Sequence, residues 1–259
     1  MKLQFLGTGG GRFATISQKR MTGGFRIDDI GDKTIHVDPG PGALVRSHQF
    51  GLNPRKINMI LVSHSHTDHY TDAEVLIEAM THGMTKRTGH VIGSESVING
   101  NDGLGPSVSK YHQTKPKVSV LHPGDVVVND KITVRGTDTH HGDPTCVGFN
   151  INYKNMNINY TADTEYFPEL ADEHAGADIL IGCVIKDGQR KIKGHLRTRD
   201  FERLVDQVQP QIAIMTHMGV NLIMNNPYQS TRSITENTGV RTIAATDGLT
   251  IKLDQFVDN

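Results

Sequence analysis

Short apolar-rich runs punctuate the first half of the chain: KLQFLG at 2–7, GFRIDD at 24–29, TIHVD at 34–38 and NMILVS at 58–63. Runs of this length, bounded by Gly, Asn and Asp, read as β-strands. Between the last two, PGPGALVRSHQFGL reads as a helix opened by proline and closed by Gly51. In TDAEVLIEAMTH, Val75, Leu76, Ala79 and Met80 fall at helical spacing, with Asp72 as the expected N-cap. Residues 82–116 are rich in Gly, Ser, Lys and Asn and read as a loop with a short helix beside the mouth of any site. Strands then return as KVSVLH, DVVVN, KITVRGTDTH, CVGFNINY and MNINYTAD, separated by the turn signals HPGD, NDK and KNMN. ADILIGC predicts a further strand, TRDFERLVDQVQ an amphipathic helix, QIAIMTH a buried strand and TIAATDGLTIKL a closing strand or hairpin.

No linker, low-complexity tract or fixed-period repeat interrupts this order. Two sets of strands with helices between and after them predict one layered α/β domain over residues 1–259. Aromatic residues are only 5% of the chain and Trp is absent, so aliphatic residues, Met and Phe must fill the core. The 27 basic and 28 acidic side chains nearly cancel, which argues against nucleic-acid binding through a general basic field. Cys146 and Cys183 are too few for a disulfide framework or a four-thiolate zinc site. No window approaches 18 apolar residues, and MKLQFLGTGG reads as a strand entering a glycine turn, so a cytoplasmic protein without a membrane span is expected.

The chemistry concentrates in LVSHSHTDHYTD, where His64, His66, Asp68 and His69 lie within six positions. An apolar strand delivers the chain to His64, and a helix is expected to begin near Thr71. In the tight turn between them His64 and His66 can reach one side, and Asp68 and His69 an adjacent point. Imidazole and carboxylate donors suit Zn, Mn or Fe(II), and the absence of thiolates speaks against a structural zinc. A chance cluster of surface histidines is a poor account of four such residues after an apolar strand.

HxHxDH in this setting resembles the signature of the metallo-β-lactamase superfamily. KITVRGTDTHHGDPTCVGF, NINYTADTEYF and AIMTHMG resemble its later motifs, and FLGTGGG and HVDPGPG its first strand and Asp-x-Gly turn. The resemblance covers nearly the whole chain and implies a four-layer αββα sandwich. It further implies one metal on His64, His66 and His141, a second on Asp68, His69 and His217, and Asp163 between them. His141 is favoured over its neighbour His140 by the spacing to the following glycine, and Asp38 would support ligands without being one. The implied reaction is hydrolysis by a hydroxide held between two divalent ions, zinc before manganese or iron.

Among the superfamily's branches, the flavin-dependent diiron enzymes have Glu where His66 stands, and one class of zinc β-lactamases has Cys in place of Asp163. Glyoxalase II remains compatible. The opening and KGHLRTRDFERLVDQVQP are most similar to the branch of ribonuclease Z and small cyclic phosphodiesterases. There His195 would protonate the leaving oxygen, with Asp68 paired to it in proton transfer. Arg197 departs from that motif's Ser or Thr, and a capping or surface histidine is the plain alternative. Ribonuclease Z carries a long tRNA-gripping arm between its third histidine and the bridging aspartate, whereas here the interval is 163 − 141 = 22 residues, enough for one hairpin. The expectation is therefore a small, cyclic phosphodiester before tRNA, and a homodimer by family likeness. A thioester or lactone hydrolase and a non-catalytic metal-binding regulator are the alternatives. Arg12 and Arg20 are candidate substrate contacts, whereas Lys110, Lys115 and Lys117 read as a solvated face and Cys146 as a small buried residue. His36, His48, His82, His90, His112, His122 and His174 read as surface or satisfied histidines.

Overall fold

The computed structural model describes residues 1–257. Its strands are β1 (Lys2–Phe5), β2 (Phe25–Ile30), β3 (Lys33–Val37), β4 (Met59–Val62), β5 (His90–Gly93), β6 (Lys117–Val120), β7 (Val126–Asn129) and β8 (Ile132–Thr137). They continue with β9 (Gly148–Tyr153), β10 (Met156–Tyr160), β11 (Ile179–Lys186), β12 (Leu196–Arg197), β13 (Ile212–Thr216), β14 (Thr242–Ala244) and β15 (Thr250–Lys252). One sheet has the order β15-β1-β2-β3-β4-β5-β6. The other runs β14-β13-β11-β10-β9-β8-β7, with β12 paired to β11.

Side-chain alternation explains why both sheets are covered on both faces. In β4, Met59 and Leu61 join the core between the sheets, while Ile60 and Val62 face Leu76, Ile77 and Met80 of the helix Ala73–Met80. In β11, Ile179 and Ile181 enter the same central core, while Leu180 and Val184 meet Phe201, Leu204 and Val205 of the helix Thr198–Val208. Such strands read as continuous apolar runs because neither face meets water. Each fully buried aliphatic or aromatic side chain contributes about 1.5–3 kcal/mol relative to exposure. The layers are helix, sheet, sheet, helix, as expected from the sequence. Among the described residues no helix is long and apolar enough to cross a membrane.

Several elements differ from the sequence reading. The helix placed at 39–52 is shorter, Ala43–Gln49, and begins after Gly42. The segment 71–82 is preceded by a separate turn of helix, Thr67–Tyr70, and its main helix is Ala73–Met80. That helix buries Ala73, Leu76, Ile77 and Met80, whereas Val75 is 40% exposed, so the apolar face is rotated from the predicted one. Asp72 does not cap it; its carboxylate accepts the Leu44 N–H of the neighbouring helix instead. The polar stretch 82–116 contains β5, which lies between β4 and β6 in parallel register. TIAATDGLTIKL is not a hairpin: β14 closes one sheet and β15 pairs with β1 in the other. The crossing between them carries Asp247, which accepts the N–H groups of Thr8 and Met21 and ties down the first glycine turn.

Candidate metal centre

The histidine turn leaves β4, and its neighbours arrive from the ends of other strands. Asp38 follows β3, His141 follows β8, Asp163 follows β10 and His217 follows β13. Asp38, Ala162 and His217 have φ of 49°, 50° and 56°. Left-handed backbone at non-glycine residues costs about 1–2 kcal/mol each, so strain collects where the candidate ligands leave their strands.

Two groups of donor atoms result. His66 Nδ1 lies 2.9 Å from His64 Nε2 and 2.9 Å from His141 Nε2. Beside this triangle, His217 Nε2 lies 3.1 Å from His69 Nε2 and 3.1 Å from Asp68 Oδ2. Asp163 lies between the groups, with Oδ2 3.5 Å from His69 Nε2 and 3.9 Å from His141 Nε2. His64, His69, Asp163 and His217 are all buried.

The outer hydrogen bonds determine which ring nitrogens keep lone pairs for the interior. His141 Nδ1–H donates to the Gly194 carbonyl at 2.8 Å, and His69 Nδ1–H donates to Asp38 Oδ2 at 2.8 Å. Ser63 Oγ–H donates to Asp38 Oδ2, so the same hydroxyl accepts from His64 Nδ1 at 3.0 Å. The Nε2 atoms of His64 and His141 are thereby left as acceptors, both aimed at His66 Nδ1. A single His66 Nδ1–H cannot serve both acceptors at once, and the buried Asp163 Oδ1 and His217 Nδ1, 3.3 Å apart, make no hydrogen bond. A cation resolves this conflict, and all-N/O donors suit a divalent transition ion. The donor chemistry therefore fits the two-ion arrangement.

The electrostatics agree. Burial pushes His64 well below its ordinary value and His141 down to about 4, so both rings are neutral. Burial would raise the carboxyl of Asp163, but His217 and His69 outweigh it and hold it well below the usual carboxylate range. Burial likewise opposes ionisation of Asp68, yet His69 and His217 keep it deprotonated. His69 goes the other way: burial lowers it, but Asp163, Asp68 and Asp38 push it well above the usual imidazole value. Carboxylates that hold a proton there can hold a metal cation in its place.

His195 also reaches the cluster. Its Nε2 lies 3.3 Å from Asp163 Oδ2, and its Nδ1 lies 3.0 Å from the Lys193 carbonyl. Burial lowers its proton affinity, but the bond to Asp163 outweighs that and raises it. A cavity of about 620 Å³ opens from His195 and Glu165 over the helix Thr198–Val208, past Tyr166, Lys191 and Arg199. Arg203 lies on its wall with its guanidinium 4.4 Å from the Tyr166 ring. Arg197 faces Asp200, with Nε 2.7 Å from Oδ2 and Nη2 2.9 Å from Oδ1, and so holds the start of that helix.

Other candidates lie elsewhere. His140 is exposed and stacks on Phe167 at 4.1 Å between ring centroids, turned away from the cluster. Arg20 is tied to the Ala245 carbonyl and Thr8, whereas Arg12 is exposed on the helix Gly11–Ser17. Lys110 donates to the Ile98 carbonyl 3.2 Å away. Cys146 is buried, with Sγ 3.5 Å from the Asp163 carbonyl. Of the remaining histidines, His48, His82 and His122 are exposed, and His112 and His90 have partners. His36 and His174 are buried with one ring nitrogen each unpartnered, so satisfied histidine describes only half of each ring.

The sequence reading missed four supports. Ser63 links His64 to Asp38, and Tyr160 Oη–H donates to Asp38 Oδ2 at 2.8 Å. The Gly11 N–H donates to Asp68 Oδ2 at 2.7 Å. Gly10 must be glycine, because a Cβ there would meet the His217 ring at 2.1 Å. The FLGTGGG opening carries the only sequence signal for the last two.

The family of the Beta-lactamase superfamily domain matches residues 33–218. The chain therefore belongs to the metallo-β-lactamase superfamily and is a hydrolase of that fold, similar to its ribonuclease Z branch. It is 44% identical to the uncharacterized protein MJ1374 of Methanocaldococcus jannaschii, over 98% of this chain and 95% of that protein. It is 25% identical to the ribonuclease Z of Mycolicibacterium gilvum, over 95% of this chain and 90% of that enzyme. The metallo-β-lactamase fold protein YhfI of Bacillus subtilis superposes with a TM-score of 0.80 at 20% identity, covering 96% of this chain and 98% of YhfI.

Proposed function

We propose that residues 1–259 act as one metal-dependent phosphodiesterase unit on a small, cyclic phosphodiester. In this reading His64, His66 and His141 hold one divalent ion, Asp68, His69 and His217 hold the other, and Asp163 joins them. Zinc is the first expectation, with manganese and iron as alternatives that the same N/O donors accept. When bound, such a pair supplies a nucleophile from water at neutral pH and neutralises charge on both sides of a displacement.

The single observation that carries the reading is the convergence of unsatisfied nitrogen lone pairs and buried carboxylates on two adjacent points. The protein's own groups divide the remaining work. Asp163 holds His195 by its Nε2, and the raised proton affinity of that ring suits it to donate a proton to the leaving oxygen. Asp68, fixed by the Gly11 N–H, lies 3.1 Å from His217 Nε2 and can pass a proton within the same group. The cavity beside His195 falls in the size range that encloses a small molecule, which supports a leaving group of modest size.

The choice of a small substrate rests on the stretch between His141 and Asp163. After a short turn it consists of β9 and β10, paired Tyr153 to Met156 as a tight hairpin, with no room for an RNA-gripping arm. The near-zero net charge points the same way, because tRNA binding draws on phosphate contacts. The likeness to a ribonuclease Z makes tRNA 3′ processing the second reading. Two free, buried cysteines suit a reducing cytoplasm.

The test is a screen of the protein loaded with Zn, Mn or Fe against cyclic nucleotides, cyclic sugar phosphates, precursor tRNA and an acyl thioester. Turnover of a cyclic phosphodiester is expected. Efficient tRNA 3′ processing would replace the substrate assignment, thioester turnover would replace the reaction class, and no turnover with both ions bound would mark a regulatory metal protein.

A further inference from the structure

Asp143 is buried to 1% exposure two residues after His141, and it does not bind the donor cluster itself. Its Oδ2 accepts the N–H of Ser65 at 3.1 Å and the hydroxyl of Ser96 at 2.5 Å. Its Oδ1 accepts the N–H of Thr145 at 3.0 Å, the Thr145 hydroxyl at 2.8 Å and the Asn101 amide at 3.4 Å. Every donor is neutral, and among the described residues no Lys, Arg or His forms an ion pair with it. A carboxylate buried without a cation is costly, and a tight turn alone would be served equally by Asn.

Placement gives this charge a use. Ser65 is the residue between His64 and His66, and its hydroxyl is further held by Ser107 Oγ at 2.8 Å. Asp143 thus pins the backbone between two members of the His64–His66–His141 triangle while sitting on the turn that delivers the third. That triangle consists of three neutral rings beside Asp163, and it reaches Asp38 only through the Ser63 hydroxyl on His64, whereas the other group has Asp68 within it and Asp38 directly on His69. The two halves therefore differ in where their negative charge comes from.

We propose that Asp143 is a positioning residue for the three-histidine ion site, orienting its turn through Ser65 and adding outer negative charge behind neutral ligands that reach Asp38 only through Ser63. This rests on the two-ion reading above. Outer partners of metal ligands are commonly worth about 10–100-fold in ion affinity, and that range is expected here.

The experiment isolates each site. In a His217→Ala background the three-histidine group is the better-preserved site, and in a His66→Ala background the Asp68–His69–His217 group is. Zn²⁺ affinity by chelator competition is measured in both, with and without Asp143→Asn, alongside thermal melting of the metal-free proteins. D143N should weaken Zn²⁺ at least tenfold in the H217A protein, change it less than threefold in the H66A protein, and leave metal-free melting close to its parent. Equal weakening in both backgrounds, or none in either, overturns the proposal. Failure of the otherwise unaltered chain to bind two ions would instead overturn the two-ion reading. Should D143N not fold, Ser96→Ala, which keeps the charge but removes one donor to Oδ2, should weaken only the three-histidine site by a few-fold; unchanged affinity there refutes the positioning role.

Discussion

The two halves of the donor cluster solve the same problem with different materials. The His64–His66–His141 half is neutral imidazole fixed from outside by a serine hydroxyl and the Gly194 carbonyl. The Asp68–His69–His217 half carries its own carboxylate, leans on Asp38, and is closed by the glycines of the first turn. Neutral ligands lose little by burial, whereas an aspartate must have cations or several donors around it. Asp38 meets this need with the Ser63 N–H and hydroxyl, His69 and the Tyr160 hydroxyl. The half with more charge thus requires more long-range support.

The largest expected effect removes what the halves share. Asp163→Ala should lower hydrolysis by at least about 10⁴-fold and reduce bound metal below two ions per chain, by elemental analysis, since a buried anion facing both groups is gone. Two ions retained with activity near the original would show that the halves do not depend on it. Next in size, His195→Ala should slow phosphodiester cleavage by about 10²–10⁴-fold with metal content largely intact. Loss of both ions in that variant would move His195 from proton donor to ligand.

A smaller change separates the halves. Gly10→Ala places a methyl group against the His217 ring, so ion binding at the aspartate half should fall by about 10–100-fold while the three-histidine half is spared. Sequential Zn²⁺ titration followed by calorimetry distinguishes one weakened site from two. The smallest effect lies outside both. His174, buried away from the cluster, is pushed by burial from 6.5 to about 3. The unfolded chain takes up its proton first, so the contribution to stability is complete above pH 6.5 and is lost as pH falls toward 3. His174→Asn should flatten the fall in urea stability across that window relative to the parent; an unchanged slope would mean the ring is protonated in the native protein.

How much of the site was legible depended on whether a residue's neighbours were near in sequence. His64, His66, Asp68 and His69 declare themselves because one turn holds them together. His141, Asp163 and His217 were expected from the family resemblance, which puts each after a strand, and the structure brings all three beside that turn. Asp143 and Ser63 carried no such signal and Gly11 only that of the glycine-rich opening, because their roles arise from hydrogen bonds to residues that only folding brings near. The same holds for the fold. β5 is four residues within a polar segment and becomes an interior strand only by pairing with β4 and β6. Val75 sits at a good helical position yet faces solvent, because the helix turns Leu76 and Ile77 to the sheet.

The sequence by itself determined the alternation that buries both faces of the sheets, the donor types, and the brevity of the segment between His141 and Asp163. These follow from local periodicity, side-chain chemistry and chain length. Tertiary structure alone decided which nitrogen of each ring faces inward, that Asp38 backs His69 directly and His64 through Ser63 while Asp143 holds the backbone at Ser65, and that residues 242–253 join two sheets. Those outcomes depend on hydrogen bonds and packing between segments tens to hundreds of residues apart, where no local pattern reaches.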